Sequence, residues 1–162
     1  MPPGNPRRFS LGLVSESLRK FLLTLWNTYA FFVTYATLDG WQPDPSPGQP
    51  VSLAEIDRWA LASLNALVRD VTQNFEDYEV YPAARAIERF VDELSNWYVR
   101  RNRRRFWKSE TDADKQAAYE TLYTCLLTLA KLIAPFTPFV AEEIYRNLTG
   151  QATNGVNGAI SF

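Results

Sequence analysis

Residues 82–108 read PAARAIERFVDELSNWYVRRNRRRFWK, and this segment sets the architecture. Ala83, Ile87, Phe90, Val91, Leu94 and Tyr98 recur with the 3.6-residue period of one helix face. Pro82 suits the first position of such a helix, where its missing N–H costs nothing. Trp97 and Val99 widen the apolar surface, and the acids Glu88, Asp92 and Glu93 then give way to Arg100, Arg101, Arg103, Arg104, Arg105 and Lys108. Without those six cations the chain has 17 − 6 = 11 basic residues against 18 acidic ones, about −7, so one dense positive knot sits in an otherwise acidic protein. Guanidiniums this close repel one another unless an anion opposes them. A helix C-terminus favours cations, but that benefit is confined to the last turn and calls for one or two. Internal ion pairs are the other structural reading. Continuing the period places Arg101 and Arg105 beneath the apolar stripe, with Arg100, Arg103 and Arg104 turned outward. Forked planar donors between flat rings (Trp97 and Tyr98 before, Phe106 and Trp107 after) suit phosphates and stacked bases.

On either side of this helix the pattern stays helical. Leu18, Leu22, Leu25, Trp26, Tyr29, Phe32 and Val33 predict a helix over 14–35, wet at Arg19, Lys20, Asn27 and Thr28. Residues 37–51, rich in proline and glycine, predict a surface connection; Trp41 within it either packs back on the bundle or waits for a partner. Ser52 and Glu55 form the Ser-x-x-Glu capping box of a helix over 52–75, with Ile56, Trp59, Ala60, Ser63, Leu67 and Val71 on one face. Ser109 or Thr111 is expected to cap a helix over 113–134 that carries Ala117, Leu122, Leu126, Leu127, Leu129, Ala130 and Ile133, ended by Pro135. Thr137-Pro138 starts a last helix over 138–148, and Gly150 terminates it. No stretch alternates with period two. The fold class is therefore all-α, an up-and-down antiparallel bundle of about five helices. Residues 1–12 read as a leading loop, with Arg7 and Arg8 as a solvated pair. Residues 13–150 read as the helical domain, and 151–162 as a flexible tail at the start of a truncated following region.

Composition removes several chemistries. The chain has no histidine, which excludes histidine general acid–base work, His-containing zinc sites and catalytic triads. No Walker loop or Gly-rich nucleotide fingerprint occurs among its seven glycines. The single Cys125 forms no internal disulfide, which fits a reducing, cytoplasmic setting, and its apolar helical neighbours make it a core residue. No uninterrupted apolar stretch approaches the roughly 20 residues of a membrane span. A net charge of −1 means that affinity for a polyanion has to be local.

Three segments carry a resemblance: LWNTYAFFVTYA at 25–36, SNWYVRRNRRRFWK at 95–108 and IAPFTPFVAEEIY at 133–145. Together they resemble the anticodon-binding helical domain of class I aminoacyl-tRNA synthetases, in the isoleucyl-tRNA synthetase branch, over about residues 5–150. The second segment is the most specific; the Pro-Phe-Thr-Pro-Phe junction is shared with the valine and leucine enzymes. The resemblance implies a module that grips a tRNA anticodon stem and loop and supports ATP-dependent joining of isoleucine to its tRNA. The chemistry belongs to a catalytic domain whose His-Ile-Gly-His and Lys-Met-Ser-Lys-Ser signatures are absent here. It implies no catalysis by this chain alone and no cofactor held by it, ATP and magnesium belonging to the parent. The implied partners are an isoleucine-accepting tRNA and the parent's catalytic domain, with no membrane. The implied tRNA-binding residues are Asn27, Trp97, Arg100, Arg101, Arg103, Arg104, Arg105, Trp107 and Lys108. Trp107 falls where the related methionine enzyme stacks a tryptophan on an anticodon base, and Asn27 near an asparagine that the same relative uses to read the anticodon; a core position for Trp107 and a merely hydrated Asn27 are the bland readings. A helical protein-interaction or interdomain docking bundle, anchored by Trp41, Trp97 and Trp107, is the alternative function.

Overall fold

The computed structural model describes residues 10–43, 52–108 and 112–150. Among these residues all regular structure is helical, arranged as five rods. The first joins α1 (Leu11–Ser17), a π-helical turn (Leu18–Leu23) and α2 (Thr24–Leu38). The second is α3 (Glu55–Glu76). The third joins α4 (Val80–Glu93), a second π-helical turn (Leu94–Val99) and α5 (Arg100–Trp107). The last two are α6 (Ala113–Ile133) and α7 (Pro138–Leu148). Ser109, Thr111 and the segments 1–9 and 151–162, with Arg7 and Arg8, lie outside the described residues.

The core forms where the apolar stripes meet. Ala83, Ile87, Phe90, Val91, Leu94 and Tyr98 are all buried, as the period predicts. Against them pack Leu25, Tyr29, Phe32 and Val33 of α2, Leu64, Leu67 and Val71 of α3, and Leu122, Leu126 and Leu129 of α6. α3 runs antiparallel to the α4–α5 rod, because Asp57 at its start bonds Tyr98 and Arg105 near that rod's end. The first rod runs parallel to it: the Leu18–Leu23 turn touches α4, and Phe31 meets Phe106 edge-on at 5.2 Å. The end of α2, the start of α3, the end of α5 and the start of α6 thus gather at one end of the bundle.

Several boundaries differ from expectation. α3 starts at Glu55, and its capping acid is Asp57, whose carboxylate accepts from the Ala54 N–H at 3.1 Å; Ser52 and Glu55 are not the box. Asp57 is held in place from the other side by Tyr98 and Arg105, and that fixes where the helix can begin. Asp112 caps α6 by accepting from the Lys115 N–H at 2.8 Å. Thr137 occupies the position before α7 but its side chain makes no cap bond. Gly150, at φ +70°, ends α7 in the left-handed region where a Cβ is disfavoured. Trp41 is buried and stacks on Tyr119 at 5.5 Å, so it is no anchor for a partner. Trp26 and Trp59 are exposed, so neither belongs to the buried stripes, where Tyr29 on α2 and Asp57 and Leu64 on α3 are found instead. The helical stretch Leu18–Leu38, mean hydropathy 1.2, is long and apolar enough to cross a bilayer by length and composition alone; its Leu25, Phe32, Val33 and Ala36 are buried inside the bundle. Cys125 is buried, and that burial pushes its thiol up to about 12, so it is a protonated core group.

Candidate nucleic-acid interface

α5 has two chemically distinct faces. The inner one carries Asn102, Arg105 and Phe106, all buried. Arg105 grips Asp57 with both prongs of its fork, Nη1 to Oδ1 at 2.7 Å and Nη2 to Oδ2 at 2.8 Å. Nη2 also donates to the Asp114 carbonyl at 2.7 Å and lies 2.9 Å from the Asp114 carboxylate. Nη1 donates to the Asn102 amide oxygen at 3.1 Å, and Asn102 Nδ2 donates to the Tyr98 carbonyl at 2.8 Å. The Tyr98 hydroxyl donates to Asp57 Oδ1 at 2.7 Å. Burial alone would raise the Asp57 carboxyl, but the hydrogen bonds from Arg105 and Tyr98 and the Arg105 charge outweigh it and hold the group below its ordinary value. The same pairing, against the opposing effect of burial, raises Arg105. Arg105 is therefore an internal structural cation, which corrects the expectation that its guanidinium meets RNA.

The helical period places Arg101 beneath the stripe; in the structure it is exposed. The π-helical turn at Leu94–Val99 is the cause. A π turn carries one residue more than an α turn; it lets both Tyr98 and Val99 face inward and hands the next inward position to Asn102.

The outer face carries Arg100, Arg101, Arg103, Arg104 and Trp107, all exposed. At about 100° per residue these five fall within about 160° of arc. They are also linked as neighbours three and four apart: Arg100 to Arg103 and Arg104, and both of those to Trp107. Trp97, four before Arg101, extends the row, with the Arg101 guanidinium 4.8 Å from its ring centroid. Among the described residues no hydrogen bond or ion pair joins Arg100, Arg103 or Arg104 to an acid. Trp97 and Trp107 are 55% and 56% exposed, so a core position for Trp107 does not hold. Lys108 is solvent-facing but matched, at 3.1 Å from Asp114 and 3.3 Å from Asp112, whose hydrogen bonds raise it. Asn27 is exposed on α2, one helical turn before the Phe31 whose ring meets Phe106.

Three charged residues that shape this end escape the sequence pattern: Asp57, Lys115 and Asp39. Asp57 and Lys115 are both fully buried. Each sits at a helical-period position of an apolar stripe, Asp57 ahead of Ala60 and Leu64, Lys115 ahead of Ala118 and Leu122. A charge inside such a stripe signals a buried partner.

The family described as the anticodon-binding domain of tRNA ligase matches residues 57–161. The isoleucine–tRNA ligase of Dehalococcoides mccartyi strain CBDB1 is 60% identical over 149 residues, 91% of this chain and 14% of that protein. Isoleucine–tRNA ligases of Thermus thermophilus and Clostridium novyi are 52% and 53% identical over 149 and 146 residues, again 14% of each relative. The chain thus spans about a seventh of the length of the curated relatives it matches.

Proposed function

The chain belongs to the anticodon-binding domain family of tRNA ligases, and from that footing we propose that its outer α5 face holds the anticodon stem and loop of an isoleucine-accepting tRNA. In this reading the chain serves the ATP- and magnesium-dependent ligation of isoleucine carried out by a catalytic domain elsewhere in a longer parent. The observation that carries it is the row of Arg100, Arg103 and Arg104, unmatched by acids among the described residues, beside a half-exposed Trp107. Arginines without acids are free to take phosphate oxygens, with Arg101 and Lys108 extending the positive rim, and an exposed indole offers a flat face to an unstacked loop base. Trp97, already under Arg101, extends the platform toward the stem side, and Asn27 supplies a donor and an acceptor for a base edge. Arg105 supports this face from within.

Fluorescence anisotropy of a labelled anticodon stem-loop, titrated with the chain at two salt concentrations, tests the assignment. The expected result is salt-steep binding that Arg104→Glu weakens severely, because phosphate neutralisation releases counterions. Equal affinity for an unrelated acidic polymer, unmoved by Arg104→Glu, would count against it.

A further inference from the structure

We propose that Lys115 is a positioning residue for this face, a wholly buried cation that ties the end of α5 to the end of α2 and so fixes the position of Trp107 relative to α2. The inference rests on the RNA-binding reading of α5. Lys115 has no exposed surface and cannot itself touch RNA. Its Nζ donates to the Lys108 carbonyl at 2.6 Å and sits 2.6 Å from Asp39 Oδ2. Lys108 is the residue at which α5 ends, with ψ at 137° turning the chain out of the helix. Its carbonyl is one of those a helix end leaves without an intrahelical partner. Asp39 is the corresponding residue at the end of α2. Asp39 also accepts a short hydrogen bond from the Tyr119 hydroxyl, and Tyr119 is stacked by Trp41, so the acid is itself held in place.

Stability alone does not account for a lysine here. Desolvating an ammonium and a carboxylate cancels much of their attraction, and an apolar side chain of similar length fills the same space. What an apolar residue cannot supply is the directed bond to the Lys108 carbonyl, one residue beyond Trp107. Together with the Arg105–Asp57 fork in the same last turn, Lys115 holds the end of α5 against α3 and the end of α2. Binding groups held in one geometry lose less freedom on association than groups that must first be ordered.

The decisive variant is Lys115→Met combined with Asp39→Asn, which removes the tie without stranding a buried charge and leaves Tyr119 an acceptor. Helical circular dichroism and cooperative melting are expected to persist. Amide hydrogen exchange at Trp107 and Lys108 of the free protein is expected to rise. Affinity for the anticodon stem-loop is expected to fall about tenfold, while the salt slope and binding to a scrambled-loop hairpin stay at wild-type values. A folded double variant with wild-type exchange at those amides, or wild-type affinity for the anticodon loop, overturns the proposal. So does a variant that no longer folds, since Lys115 would then be a stability residue. If the wild-type chain shows no preference for the anticodon loop over the scrambled one, the interface reading fails on its own, and the exchange measurement still decides whether Lys115 holds the helix end.

Discussion

Arg104 and Arg105 are adjacent in sequence and opposite in role. Arg105 is 11% exposed at its side chain and shares a bidentate bond with a fully buried Asp57. Breaking this pair from the Asp57 side removes the bidentate partner of a buried guanidinium and leaves it the half-exposed Asp114 carboxylate. Asp57→Ala is therefore expected to lower the unfolding free energy in urea by about 3–5 kcal/mol, whereas Arg104→Met should stay within about 0.5 kcal/mol of wild type. The pair also sets an acid limit. Asp57 titrates below its ordinary 3.8 in the folded protein, so its contribution is fully present above that value and is lost as pH falls below it toward the folded value. Stability measured downward from pH 5 should fall more steeply below about 3.8 in wild type than in Asp57→Asn. Trp107 is expected to contribute by stacking: Trp107→Ala should weaken stem-loop binding by about 1–3 kcal/mol and leave the melting temperature little changed.

Much of each helix is legible in the sequence, and the failures fall where a local pattern is interrupted or overridden. α7 begins at Pro138 where the Thr-Pro pair predicts, and the buried stripe of α4 is the one its period gives. Arg101 and Asn102 sit on faces that periodicity does not predict, because a period of 3.6 assumes an uninterrupted α-helix and the π turn at Leu94–Val99 adds a residue. A pair of deletions tests this. Removing the exposed Asn96 within the π turn should restore an α turn while keeping Arg105 opposite Asp57. Its melting temperature should therefore sit well above that of a deletion at Arg89, which rotates everything downstream by about 100°; equal destabilisation by the two would remove the explanation. Capping misleads for a related reason. Ser-x-x-Glu at 52–55 is a local signal, whereas the start of α3 is determined by Asp57 meeting Tyr98 and Arg105 across the bundle, 41 and 48 residues away in the chain.

For the molecule as a whole, the near-neutral net charge of −1 conceals a division between an acidic body and one cationic helix end. Four rod ends converge there, tied by Arg105 to Asp57 and by Lys115 to Asp39. The positive knot is visible in the sequence. Which of its members are free is not, because Asp57 lies 48 residues from Arg105 in the chain and only folding brings them together. The remaining outward arginines make affinity a local, salt-dependent property of one face. The most direct measurement is the slope of log affinity against log salt for the anticodon stem-loop, compared between the wild-type chain and a folded triple variant carrying Arg100→Gln, Arg103→Gln and Arg104→Gln. The expected result is weaker binding and a slope shallower by roughly 0.7 for each phosphate that is no longer neutralised. An unchanged slope and affinity would contradict the assignment of that face to RNA.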